Sequence, residues 1–316
     1  MNAGRSCPLS YRYGTSALAV CPEQVAETLY VVGGLYGNLP ALDAIEALAA
    51  REPGPVTLCF NGDFNWFNVD HRAFAVINRR VLGHDATLGN VEAELFAPGD
   101  EAGCGCAYPE HVDGGIVARS NRIHARLKAT AQAHPELVAV LARLPMIRRY
   151  RIGPIAVGVV HGDAESLAGW RFDVAALDDA ENQSWIAAAF ALADVDLFAS
   201  SHTCLPVARR YRSGDRNRLV VNNGAAGMPN FRDDRRGLIT RIGLRPSPHA
   251  ALHSGRVSGV HASALAVPYD DALWQKQFLR NWPANSPAHA SYFGRIARGP
   301  DYDLDRAYLP RLPESH

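Results

Sequence analysis

Strand-like and helix-like segments alternate through the first two thirds of the chain, and this alternation constrains the fold more than any other feature of the sequence. Apolar runs of strand length are followed by stretches in which apolar residues recur at helical spacing. The expected strands are 29–34, 56–60, 86–88, 155–160 and 195–199, and the expected helices are 40–50, 73–82, 116–133, 136–144 and 180–193. A β-rich part follows, with a hairpin of VARRYR and RLVVNN around the turn SGDRNR and strands at LITRIGL and 257–267. The pattern predicts one layered α/β domain with two sheets.

The charge and the N-terminal segment exclude several classes of function. Lys+Arg and Asp+Glu both number 32, so no net field favours nucleic acid or an anionic membrane. The first residues lack an apolar core of signal-peptide length, and no window approaches the ~18 apolar residues of a membrane span. We therefore expect a soluble, cytoplasmic protein that binds neither nucleic acid nor membranes. Its six cysteines are expected to be thiols rather than a disulfide framework.

Polar residues follow directly after five of the apolar strands. These segments read GGLYGNLPAL, NGDFNW, GNVE, HGD and SHTC. Ligands of α/β sheets collect beyond the carboxyl ends of the strands, so we expect the polar side chains to converge there. The converging set is Asp63, Asn90, His161 and His202. One carboxylate, one amide oxygen and two imidazoles suit Mn, Fe, Zn or a similar divalent ion.

The order and wording of these segments resemble the calcineurin-like metallophosphoesterases. That family carries Asp-x-His-Gly-Asn, Gly-Asp, Gly-Asn-His-Glu/Asp, a His after a strand, and Gly-His-x-His. The resemblance covers roughly residues 29–227, and GLYGNLPALDAIEAL is its most specific part. It implies a four-layer αββα sandwich of two mixed β-sheets flanked by helices. We accordingly expect an N-terminal extension (1–28), a metallophosphoesterase-like domain (29–268) and a helical, aromatic tail (269–316) packed on that domain.

The resemblance implies a role for each residue of the polar set. Asp63 matches the carboxylate that bridges both metals of the family, and Asn90, His161 and His202 match the other ligands of the second metal. One divalent ion of the Mn, Fe or Zn class is therefore favoured, with two as the alternative. Asp63 and His161 are also candidate catalytic residues.

The differences from the family are concentrated at the first metal. Gly34, Tyr36 and Cys204 occupy its three non-bridging ligand places, and Val91 replaces a His that assists the leaving group. Val cannot carry a proton, and a missing ion removes charge from the transferring group. The resemblance thus implies weakened phosphoesterase activity. Cys204 remains a candidate ligand, because a thiolate can hold a soft ion.

An arginine stripe offers one replacement for the missing charge. Arg119, Arg122 and Arg126 share one side of the expected helix 116–133, and Arg binds phosphate in a bidentate manner. The alternative is a solvated helix face opposite Ile116 and Ile123. Arg119 is the member we keep as a candidate catalytic residue.

Three functions are compatible with this site. The leading hypothesis is a metal-dependent phosphoesterase-like hydrolase acting on a small phosphorylated molecule. The first alternative is a catalytically weak or inactive binding or regulatory protein on the same fold. The second alternative is a redirected enzyme that uses the thiols of Cys204 and of Cys104 and Cys106 in the loop GCGCAYPEH.

Overall fold

Two mixed six-stranded sheets form the centre of the protein in the computed structural model, which describes residues 3–213 and 216–308. The first sheet has, in spatial order, β1 (Glu23–Val25), β5 (Ile147–Ile152), β6 (Ile155–Val160), β7 (Leu197–Ser200), β9 (Arg216–Asn223) and β8 (Pro206–Ser213). The second has β11 (Ala251–Val257), β12 (Val260–Val267), β10 (Gly237–Gly243), β2 (Thr28–Val32), β3 (Val56–Asn61) and β4 (Asp85–Thr87). Each sheet combines parallel and antiparallel pairs.

Helices cover the outer faces of both sheets. On the second sheet lie α2 (Leu39–Ala49), α3 (His71–Val81), α4 (Asn90–Phe96), α5 (Gly114–Ala131), α6 (Pro135–Leu141), α9 (Asp271–Asn281) and α10 (Pro287–Arg298). On the first lie α1 (Ala17–Val20), α7 (Val174–Asp178), α8 (Gln183–Ala193) and α11 (Leu304–Ala307). Between the sheets lies a buried apolar layer that includes Val31, Cys59, Val157 and Leu197. The predicted αββα sandwich is thus confirmed.

Local sequence explains why these helices begin where they do. The Asn38 side chain accepts a hydrogen bond from the Ala41 N–H at 3.0 Å, and Pro40 occupies the first turn, so α2 starts directly after the β2 loop. The helix expected at 116–133 is present as α5 (114–131), and Ile123 and Leu127 of its expected inner face are buried. Ile116 departs from the expectation: it is 36% exposed, whereas its neighbour Val117 is buried.

Three strands, β1, β5 and β11, were not anticipated, and neither were the helices α1, α4, α7, α10 and α11. Strand β5 reads IRRYRI, and its arginines conceal the apolar pattern of a buried strand. The Arg149 guanidinium is buried there, where it pairs with Glu23 of β1 at 2.9 Å. Helix α10 lies in the Pro-rich tail, where Ser286 caps its first turn and Pro287 stands in that turn. The turn expected at SGDRNR includes residues 214–215, which, like residues 1–2 and 309–316, lie outside the described residues.

None of the described helices combines the length and the apolar character that crossing a membrane requires. The cytoplasmic location stays a prediction.

Candidate metal centre

The four side chains of the predicted polar set lie together where strands of both sheets end. Asp63 follows β3, Asn90 opens α4 after β4, His161 directly follows β6, and His202 follows β7. Asp63, His161 and His202 each offer a ligand atom, and these atoms lie within 4.8 Å of one another. All four residues are buried. Residues far apart in the chain thus form one enclosed cluster.

The distances in this cluster suit a single ion. His161 Nε2 lies 3.2 Å from Asp63 Oδ1, 3.2 Å from Asn90 Oδ1 and 3.3 Å from His202 Nδ1. Ligand atoms about 2.1 Å from a metal are separated by about 3.0–3.4 Å when they are neighbours in octahedral or tetrahedral geometry. The observed spacings lie in that range.

Backbone carbonyl groups direct the lone pairs of these side chains toward one point. His161 Nδ1 lies 2.8 Å from the Asn61 carbonyl oxygen, and His202 Nε2 lies 3.1 Å from that of Cys106. A carbonyl only accepts, so these two nitrogens carry protons, and His161 Nε2 and His202 Nδ1 have free lone pairs whenever the rings are neutral. Asn90 Nδ2 donates to the Cys104 carbonyl at 2.9 Å, which leaves its Oδ1 facing the same point. Such partners are what orient metal ligands in proteins.

The loop that holds Cys104 and Cys106 contributes two of these carbonyls, and the Cys106 sulfur also accepts a hydrogen bond from Asn90 Nδ2 at 3.5 Å. At Gly105 the backbone has φ +66°, and a Cβ atom would lie 2.5 Å from the Tyr11 hydroxyl oxygen. Only glycine allows the loop to approach the cluster this closely. Burial raises the pKa of Cys106 well above its ordinary value, so its thiol stays protonated. The expectation of six free thiols is confirmed.

The Glu92 side chain holds the backbone at Asp63 in place. Glu92 was not identified from the sequence as a functional residue, although it is the last residue of GNVE. Its carboxylate accepts hydrogen bonds from the N–H groups of Asp63 at 2.7 Å and Asn65 at 3.1 Å. Asp63 itself has φ +53°, a conformation that needs such support. The Val91 N–H donates to Asp63 Oδ1 at 3.2 Å. Burial and the charge of Asp63 raise the pKa of Glu92 to about 7.

The two imidazoles of the cluster differ in basicity. Burial and the charge of His161 lower the pKa of His202 to about 3. Burial also acts to lower the pKa of His161, but the Asp63 carboxylate outweighs it and the net shift is upward. Burial opposes ionisation of Asp63, yet His161 holds the pKa of that carboxyl below its usual range. Asp63 is therefore a carboxylate and His202 a neutral ring at neutral pH.

The pKa of His202 predicts a pH-dependent loss of stability in the metal-free protein. The unfolded chain protonates this residue below about pH 6.5, whereas the folded protein does not until about pH 3. Its contribution to stability is therefore complete above about pH 6.5 and is lost progressively as the pH falls toward 3. In urea unfolding with a chelator, at about pH 7.5 and pH 5.5, wild type should lose more free energy of unfolding than His202→Gln. The exposed His111→Gln should behave like wild type, and equal losses in wild type and His202→Gln would contradict the prediction.

Tyr36 fills the space beside this cluster. Its hydroxyl lies 2.8 Å from Cys204 Sγ, and the thiol in turn donates to the His202 carbonyl at 3.2 Å. Gly34 has φ +65°, and a Cβ atom there would lie only 2.8 Å from Tyr36 Cζ. A larger residue at 34 would therefore collide with the ring. Burial raises the pKa of Cys204, so its side chain is a protonated thiol at neutral pH.

The arginine stripe of α5 contacts the C-terminal helices. Arg119 Nε donates to Ser291 Oγ at 2.6 Å, and Arg126 donates to the Asn281 carbonyl at 2.6 Å. Arg122 is exposed. The catalytic role of Arg119 stays a prediction, and so does metal binding by Cys204.

Trp170 covers the other side of the cluster. Its Nε1–H donates to the Cys106 carbonyl at 3.0 Å, and its ring centroid lies 5.3 Å from that of His202. The indole shields the imidazole from water, which contributes to the low pKa of His202 through burial.

Comparison with known proteins identifies the fold. The chain matches no protein-family profile and no curated protein. The metallophosphoesterase from Sphaerobacter thermophilus is similar in structure, with 19% identity, a TM-score of 0.52, and coverage of 86% of this chain and 100% of that one. A hypothetical protein from Pyrococcus horikoshii OT3 is 14% identical, with a TM-score of 0.54 and coverage of 88% and 100%. At such identities the likeness concerns the fold, and this chain therefore has the fold of a metallophosphoesterase.

Proposed function

We propose that the protein is a metal-dependent phosphoesterase-type hydrolase that acts on a small phosphorylated substrate with one divalent ion. Asp63, Asn90, His161 and His202 hold the ion. The observation that carries this proposal is the convergence of four ligand atoms, three of which are oriented by neighbouring carbonyls. The likeness in fold to a metallophosphoesterase supports it.

The residues present fit a Mn, Fe or Zn ion. The set is one carboxylate, one amide oxygen and two imidazoles, which such ions accept. The ion supplies Lewis-acid activation of water and of a phosphoryl oxygen. Asp63 offsets part of its charge, and Glu92 keeps Asp63 in place. Val91 offers no proton, so the leaving group receives no help from that position.

A second candidate is a binding or regulatory protein that keeps the fold without the catalysis. The observation in its favour is the Tyr36–Cys204 contact of 2.8 Å, which closes the space beside the ligands. The third possibility, thiol chemistry, has less support. Burial raises the pKa of both Cys106 and Cys204, and the thiolate is the reactive form of cysteine.

Metal counting combined with activity assays tests the proposal. After reconstitution with Mn²⁺, Fe²⁺ or Zn²⁺, we expect one ion per chain and turnover of a small phosphoester that a chelator abolishes. Turnover of para-nitrophenyl phosphate should be low, because a single ion leaves much of the charge on the transferring group uncompensated. One bound ion without turnover across a panel of phosphomonoesters and phosphodiesters would favour the second candidate.

A further inference from the structure

The C-terminal helix α10 packs against the loop that carries Asp63. The Tyr292 ring lies 5.1 Å from Phe67 and 6.3 Å from Trp66, centroid to centroid, and both rings belong to the β3 loop. Tyr292 and Arg295 are three positions apart, so they share one side of the helix. Helix α10 therefore brings Arg295 to the edge of the candidate metal centre.

Arg295 reaches the Tyr36–Cys204 pair. Its Nη2 donates to the Cys204 carbonyl at 2.8 Å, and its Nε donates to the Pro229 carbonyl at 2.9 Å. The positive charge interacts with the side chains of both Tyr36 and Cys204. The guanidinium thus lies beside the place where the resemblance puts the lost first ion.

The charge of Arg295 has no acidic partner among the described residues. In residues 3–213 and 216–308, no carboxylate oxygen lies within 4.0 Å of a guanidinium nitrogen of Arg295. By contrast, the buried arginines of the described residues each contact a carboxylate; they are Arg149, Arg209, Arg218 and Arg241. Arg295 is half-buried and its hydrogen-bond partners are backbone carbonyls, so no carboxylate of the described residues neutralises its charge.

We infer that Arg295 binds the phosphoryl group of the substrate beside Tyr36 and replaces part of the charge that a first ion would supply. This inference rests on the proposed function. A guanidinium forms charge-assisted, bidentate hydrogen bonds with phosphate oxygens, which are stronger than its present bonds to neutral carbonyls. Helix α10 thus supplies the arginine that would bind the phosphoryl group near the ion.

Inorganic phosphate is the probe that tests this inference in the full chain, by calorimetry with and without Mn²⁺. Arg295→Met should weaken phosphate binding about tenfold to hundredfold, the range for hydrogen bonds to a charged group. The phosphate affinity of Arg295→Lys should be intermediate, because lysine keeps the positive charge but lacks the two parallel N–H donors of a guanidinium. The matched control is Arg298→Met, an exposed arginine of the same helix, which should bind as wild type does.

Further measurements separate this inference from the proposed function. Arg295→Met should keep one ion per chain and raise KM for a phosphoester more than it lowers kcat. Phosphate should also protect Arg295 of the wild-type protein from modification by phenylglyoxal, a test that needs no variant to fold. Unchanged phosphate affinity in folded Arg295→Met, no protection, or no phosphate binding by wild type would overturn the inference. Phosphate binding that depends on Arg295, without turnover of any phosphoester, would instead contradict the hydrolase function alone.

Discussion

Asp63→Ala and His202→Ala should each lower the affinity for the divalent ion by at least about a hundredfold. Loss of a group that merely orients a metal ligand costs about 10-fold to 100-fold, so loss of a ligand should cost at least the upper value. Asp63 is also the only carboxylate among the four side chains proposed to hold the ion. Metal content after dialysis, measured by mass spectrometry of the purified variants, checks the result.

Two exposed residues of the same types serve as controls for these variants. Asp43→Ala and His111→Ala should retain the ion, since neither residue belongs to the cluster. Circular dichroism and thermal unfolding show whether each variant is folded. Full metal content in well-folded Asp63→Ala and His202→Ala would show that the ion binds elsewhere.

The triple variant Gly34→Asp, Tyr36→His, Cys204→His should bind two ions per chain instead of one. It restores the ligand types that the resemblance implies at the three non-bridging places of the first metal. The changes belong together, because a side chain at 34 collides with the Tyr36 ring, and Cys204 shares a hydrogen bond with that ring. All three positions have φ between +55° and +65°, a region that Asp and His tolerate better than most residues.

A second ion should raise turnover of para-nitrophenyl phosphate by about a hundredfold or more, since a single electrostatic group at a transition state contributes that much. Metal counting and steady-state assays on the same preparation measure both effects. Cys204→Ser alone is the matched control, and we expect it to keep one ion, because its hydroxyl can still meet Tyr36. A drop from two ions to one in Cys204→Ser would mean that the thiol ligates a metal in the natural sequence. Two ions without increased turnover in the triple variant would mean that charge does not limit the reaction.

Much of the fold could be predicted from the sequence, because strand and helix periodicity is a local property of the chain. The apolar segments that form β2, β3 and β6 are buried along most of their length. Such a segment can be recognised from the local sequence alone. Strand β5 was missed because three of its six residues are arginines, and Arg149 becomes buried only by pairing with Glu23 of another strand. Helix α10 was missed because aromatic and proline residues masked its capped start.

The residues that converge on the candidate site were also predictable by one general rule, since polar residues after parallel strands meet at one edge. The sequence by itself therefore determined which four side chains come together. It could not determine which atoms face the centre. That depends on the carbonyl groups of Asn61 and Cys106, which lie 100 and 96 residues from their imidazole partners.

Only the tertiary structure decided the roles of the remaining groups. The Cys104 and Cys106 loop faces the cluster with its carbonyls, the Tyr36 ring fills the space that Gly34 leaves, and Arg295 reaches Cys204 across 91 residues. None of these contacts follows from a local pattern, because each is set by how two sheets and a C-terminal helix pack against each other. Sequence periodicity specifies which face of an element is buried, whereas the direction of a lone pair or a guanidinium is fixed by the partner that packing brings to it.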